Sequence, residues 1–279
     1  MTVIQLGLVD KTGKLDAGLV QAAAAAINVQ VIRDLPQYWP VTATVQYLPD
    51  PKRLPPGIWP IFLVDKLPPG EGGAHLDRKN QPYAQVAATP GSTDWTLDAS
   101  HEALEMLVDP AGNRLQSSMA IAIDGENVVD ANGQFQYLVE ACDPCEDSKY
   151  AYSIQGIAVS DFITPHYYDP AAVAGTRYSF GGNIQRPRQL LPGGYISFVN
   201  PQADEVQQIL FLGAKPELRN LGTAGGASLR EFVDNRTHER SAARRRTDAK
   251  FNAWLADHRS RLDSDARRHM DSYAFLFNK

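Results

Sequence analysis

Cysteine is almost missing from this chain: only Cys142 and Cys145 occur among 279 residues, so a disulfide framework cannot hold the fold together. A core of ordinary size must do that, and a composition of 43% hydrophobic, 21% charged and 9% aromatic residues provides for one while excluding disorder throughout. The two cysteines stand in Cys-Asp-Pro-Cys with no second pair to complete a zinc site, and the intervening Asp-Pro reads as a turn. Long apolar runs are absent as well. The longest, such as Ile58 to Val64 and Ala22 to Ile27, fall far short of the roughly 20 residues of a spanning helix, so no membrane role is expected. Nor does one sign of charge dominate: 27 Lys and Arg against 32 Asp and Glu give a net of -5, which excludes a chain-wide basic coat for gripping nucleic acid. The opening MTVIQLGLVDKTGK places no Lys or Arg before its apolar run and breaks at Asp10, unlike a secretory leader. A cytoplasmic setting is therefore expected, alone or within a larger particle.

Proline and glycine disappear after Gly226, and the balance of charge changes at the same place. Residues 228 to 279 hold 12 basic and 8 acidic side chains, a net of +4, which leaves 15 basic against 24 acidic, a net of -9, in residues 1 to 227. We read 1–227 as a domain and 228–279 as a helical tail. In the tail, Arg244, Arg245, Arg246, Arg267 and Arg268 alternate with Phe251, Trp254, Leu255 and Leu262 at fragments of helical spacing. One or two amphipathic helices are expected, with an apolar face that docks on the body, pairs with a second copy or lies on a protein partner in a larger assembly. Nucleic acid is not expected there, because the 8 acids share the segment with the arginines.

Within the domain, Val3 to Val9 reads as a strand, followed by an alanine-rich helix from Asp16, a capping residue, to Leu35, where Pro36 ends it. Val41 to Leu48, Trp59 to Val64 and Tyr83 to Ala88 read as further strands. The proline- and glycine-rich stretches between them, including Gly70, Gly72 and Gly73, read as turns and loops. Trp95 to Val108 is the central helix, closed by Asp109-Pro110. Met119 to Ile123 and Asn127 to Asp130 flank Asp124-Gly125 as a hairpin, and a short helix is expected from Phe135 to Ala141. Ile154 to Val159, Tyr195 to Val199 and Val206 to Leu212 complete the strands. The expectation is an α+β fold, a mixed twisted sheet beside a central helix.

The chemistry concentrates in Ser100-His101-Glu102-Ala103-Leu104-Glu105. Positions four apart share a helix face, so His101 and Glu105 can converge on one metal ion with Glu102 about a quarter turn away. In the H-E-x-x-H arrangement of zinc proteases two histidines bind the metal and the glutamate between them is the general base; here Glu105 stands where the second histidine would be. A solvated helix face is the plain alternative. Downstream, Glu140 and Asp143 offer more carboxylates. A di-iron carboxylate site, which needs paired motifs on a four-helix bundle, is disfavoured by the strands.

On these motifs the chain resembles the zincin metallopeptidases in the gluzincin style, and more specifically is similar to a group of microbial zincin-like proteins with Ser-His-Glu-x-x-Glu-x-x-x-Asp-Pro followed by Glu-x-x-Asp. The resemblance spans roughly residues 1 to 215 and rests on two short motifs. It implies a zincin-like fold and peptide hydrolysis, with His101, Glu105 and Glu140 as metal ligands, Glu102 as base and Asp143 or Asp109 as the carboxylate that orients His101. A site this rich in carboxylate widens the metal choice from zinc to manganese, iron or calcium. A peptide substrate would add along Tyr83 to Ala88 as an edge strand, and His166, Tyr167 or Tyr168 would donate to the oxyanion. His75 reads as a loop histidine, solvated or part of a lid. The other class of function is a scaffold of the same fold, without hydrolysis, holding a structural metal or none.

Overall fold

The computed structural model describes residues 3–67, 72–78, 81–225, 228–234 and 236–237. Asp16 caps the first helix as its sequence suggests: its Oδ1 accepts from the Leu19 amide at 2.7 Å, and helix α1 runs over Ala17–Val29. A wider π turn, Gln30–Asp34, extends it before Pro36. The small face Ala23, Ala24 and Ala26 lies buried with Val20 and Ile27, each of the larger two worth about 1.5–3 kcal/mol of burial.

That helix covers a five-stranded sheet made of β1 (Ile4–Asp10), β2 (Ala43–Tyr47), β3 (Ile58–Val64), β4 (Gly73–Arg78) and β5 (Gln81–Ala87), in the order β2-β1-β3-β5-β4. Four strands are parallel; β4 alone runs antiparallel, at the edge beside β5. Helix α2 (Trp95–Val108) follows and is buried on every side, Asp98 being the one residue of it that is not. Such a helix cannot present a solvated polar face, so its ionisable side chains must find partners inside.

A second, antiparallel sheet holds β6 (Leu115–Asp124), β7 (Asn127–Leu138), β10 (Tyr195–Asn200), β11 (Glu205–Leu210) and β12 (Glu217–Gly222), with a small hairpin, β8 (Tyr152–Ile154) and β9 (Ile157–Val159), before β10. Asp124 and Asn127 pair across the turn at Gly125, whose φ of 61° suits glycine. A last helix, α3 (Leu229–Asp234), packs Leu229, Phe232 and Val233 on Leu138 and Val206. The fold is α+β with sheet predominating, and among the described residues no helix is long and apolar enough to cross a membrane.

Three expectations change. Phe135 to Leu138 is strand, not helix, because Phe135 stacks on Phe198 at 4.4 Å as β7 pairs with β10. Tyr83 to Ala87 lies inside the sheet, and the edge is β4, formed by residues read as loop. Ile154 to Val159 is a hairpin turned at Gln155 and Gly156, with φ of 52° and 78°. Helix α3, within the segment read as the tail, docks on the body, its Arg230 amide donating to Gly112 O at 2.9 Å. The tail helices expected around Arg244–Arg246, Phe251, Trp254 and Leu262 lie outside the described residues.

Gly194, just before β10, fixes the turn that follows Cys142: a Cβ there would lie 2.6 Å from Asp143 O and 2.7 Å from Pro144 O. Gly194→Ala should cost about 1–3 kcal/mol in urea unfolding, since backbone must move to admit the methyl group. Unchanged stability would show that β10 does not hold the turn.

Candidate metal centre

Because α2 is enclosed, His101, Glu102 and Glu105 are all buried, and three other segments meet them. The stretch after β7 contributes Glu140, Asp143 and Glu146; strand β4 contributes His75; helix α3 contributes Arg230. Ser100 anchors the helix beside them, donating to Gln30 Oε1 at 2.8 Å and accepting from the Ser160 amide at 2.9 Å.

On one side of Glu105, His101 Nε2 lies 3.0 Å from Glu105 Oε1 and 3.2 Å from Asp143 Oδ1. The Cys142 amide donates to Glu105 Oε1 at 3.2 Å, and its thiol donates to His101 O at 3.8 Å. Glu146 groups with His101 and Asp143 closely enough to share a cation. On the other side, Arg230 Nη1 is 3.2 Å from Glu105 Oε2, touches Glu140, and lies 3.9 Å from Asp143 Oδ2, while its Nε donates to Asp234 at 3.0 Å. His75 Nδ1 faces both Glu105 Oε2, at 3.5 Å, and Glu102 Oε2, at 3.6 Å.

The electrostatics follow from burial against charge. Burial acts to raise the Glu105 carboxyl, but His101 and Arg230 outweigh it and hold it well below the usual carboxylate range. Glu102 is lowered in the same way, burial being outweighed by His75 and His101. Burial pushes Glu140 and Asp143 up, against the pull of Arg230, with Glu105 adding its repulsion to both. Burial and Arg230 act to lower His75, yet Glu102 and Glu105 raise it to about 10.

The structure therefore brings together five of the residues expected at the site: His101, Glu102, Glu105, Glu140 and Asp143. Asp143, not Asp109, faces His101; Asp109 closes α2 and accepts from the Arg114 amide at 2.7 Å. His166 and Tyr167 are not part of the cluster. His166 is exposed and bonded to Asp169 at 2.8 Å, and the Tyr167 hydroxyl donates to Gln189 O at 3.2 Å, because the Pro165–Tyr168 turn carries them elsewhere. Three members were missed from sequence: His75, Glu146 and Arg230. The apolar neighbours Leu229, Phe232 and Val233 were the signal that Arg230 is drawn inward. No family model, curated protein or solved structure matches the chain.

Arg230 is the internal cation of a buried acid cluster, so Arg230→Met should destabilise the metal-free protein by about 3–5 kcal/mol in urea unfolding. A loss below about 1 kcal/mol would show that the guanidinium does not compensate those carboxylates. In EDTA, His75 should confer a pH dependence. Its folded value lies above its ordinary 6.5, so its contribution is complete below 6.5 and fades as pH rises through about 10. His75→Ala should flatten stability across that window; an unaltered profile would contradict the pairing.

Proposed function

We propose that this chain is a zincin-like metalloprotein, and specifically a metal-dependent peptidase, whose divalent cation is held by His101, Glu105 and Asp143 with Glu140 alongside. One observation carries the reading: three donor atoms from a helix and a turn lie 3.0 and 3.2 Å apart inside the protein, and neither Asp143 oxygen has a hydrogen-bond partner among the described residues. Buried carboxylate oxygens without donors are costly, and a cation satisfies them. One imidazole with carboxylates suits zinc, and also manganese, iron or calcium. A divalent ion there supplies Lewis acidity, polarising a carbonyl and making water easier to deprotonate.

The chain's own residues would do the rest. Glu102, whose carboxyl His75 and His101 hold below its ordinary range, would serve as the proton acceptor. Strand β4, whose outer side has no strand partner among the described residues, is the edge to which an extended peptide would add, taking the role expected of Tyr83 to Ala88. Cys142 and Cys145, both free and buried, support a reducing, cytoplasmic setting.

A second reading draws on the enclosure itself: every member of the cluster is buried and Arg230 seals it, as suits a structural centre in an interaction protein. Partners of the segment beyond residue 237, a protein or a second copy, belong to either reading.

Elemental analysis of tag-free protein should find at least one divalent cation per chain, with the metal content lowered in both His101→Ala and Glu105→Ala. No metal after dialysis against zinc and manganese would overturn the proposal. Glu102→Gln should lower cleavage of a peptide library by about 100-fold or more with a cation still bound at His101. Undiminished turnover would remove Glu102 as base, and an inactive metal-loaded wild type would favour the structural centre.

A further inference from the structure

Glu105 offers its two oxygens to two different histidines. Oε1 lies 3.0 Å from His101 Nε2, and Oε2 lies 3.5 Å from His75 Nδ1. A histidine in that position can donate one lone pair to one ion, whereas a carboxylate can bridge two. On the β4 side the same His75 nitrogen lies 3.6 Å from Glu102 Oε2. His75 is 1% exposed, and neither of its ring nitrogens has a hydrogen-bond partner among the described residues.

Separations of 3.5 and 3.6 Å are too long for hydrogen bonds, but they match the spacing of ligands around an ion bound at about 2.1 Å in tetrahedral geometry, which is about 3.4 Å. Backbone design agrees: a Cβ on Gly73 would stand 2.5 Å from Glu102 Oε1, so a glycine in β4 is what lets that carboxylate lie beside His75.

We propose that His75, Glu102 and Glu105 form a second cation position, joined through the Glu105 carboxylate to the one at His101, Glu105 and Asp143. It rests on the metal reading above and extends it to a two-metal centre of the zinc or manganese kind. The charges agree. Glu102, Glu105, Glu140, Asp143 and Glu146 are buried carboxylates with Arg230 as the buried guanidinium among them. Acid exceeds this guanidinium, which also pairs with Asp234 at 3.0 Å, so added cations lower the cost of burying the cluster. Arg230, 3.2 Å from Glu105 Oε2, borders the second position and shares that oxygen with its ion. Glu102 would hold the second ion through Oε2, and its role as proton acceptor belongs to the one-metal reading.

The test is a count with a spectrum. Full-length protein stripped with EDTA is titrated with Mn2+, bound manganese is measured after gel filtration, and the electron paramagnetic resonance spectrum is recorded. The expected result is two Mn2+ per chain with an exchange-coupled spectrum, and one uncoupled Mn2+ in His75→Ala. One uncoupled ion in the wild type would overturn the second position and leave the first intact; no bound ion would overturn the first reading as well. Two ions retained in His75→Ala would also overturn it. The wild-type count and spectrum need no substitution, so a variant that fails to fold does not remove the test.

Discussion

The constraint on which the site depends is the complete burial of α2. A helix that carries His101, Glu102 and Glu105 into an interior forces each of them to be compensated there. The segments that converge on it supply that compensation: a turn after β7 with Asp143 and Glu146, an edge strand with His75, and helix α3 with Arg230. Ser100, bonded to Gln30 and Ser160, ties the same turn of helix to α1 and to the chain after β9.

Acid outnumbers base in this interior. Arg230 meets Glu105 and Glu140, and Glu102 and Glu105 hold His75 charged to about 10, yet Glu140 and Asp143 are pushed toward protonation by burial. Under the proposed reading, a divalent cation would relieve that excess of buried acid. The arginine also makes α3 part of the centre, so the segment beyond residue 228 and the chemistry of the domain are physically linked.

Much of this was legible in the sequence. The cap at Asp16, the limits Trp95 and Val108 of the central helix, the hairpin at Gly125 and the convergence of His101 with Glu105 followed from spacing and turn chemistry. Strand β4 was hidden because its glycine signals a loop locally, while its purpose, room for Glu102, is tertiary. The far end of β7 was hidden because Phe135 to Leu138 carries no alternation strong enough to show that Phe198 stacks on it. Arg230 lay in a stretch read by its net charge, which does not say which basic side chain turns inward. Each miss is a long-range contact, which periodicity cannot encode.

The central claim, a buried cation held by nitrogen and oxygen donors, is tested most directly by X-ray absorption at the zinc edge of the zinc-loaded protein. The proposal predicts a shell of N and O ligands alone at about 2.0–2.2 Å, with an imidazole signature that diminishes in His101→Ala. A sulfur shell at about 2.3 Å would place the ion on Cys142 or Cys145 instead, and contradict the centre described here.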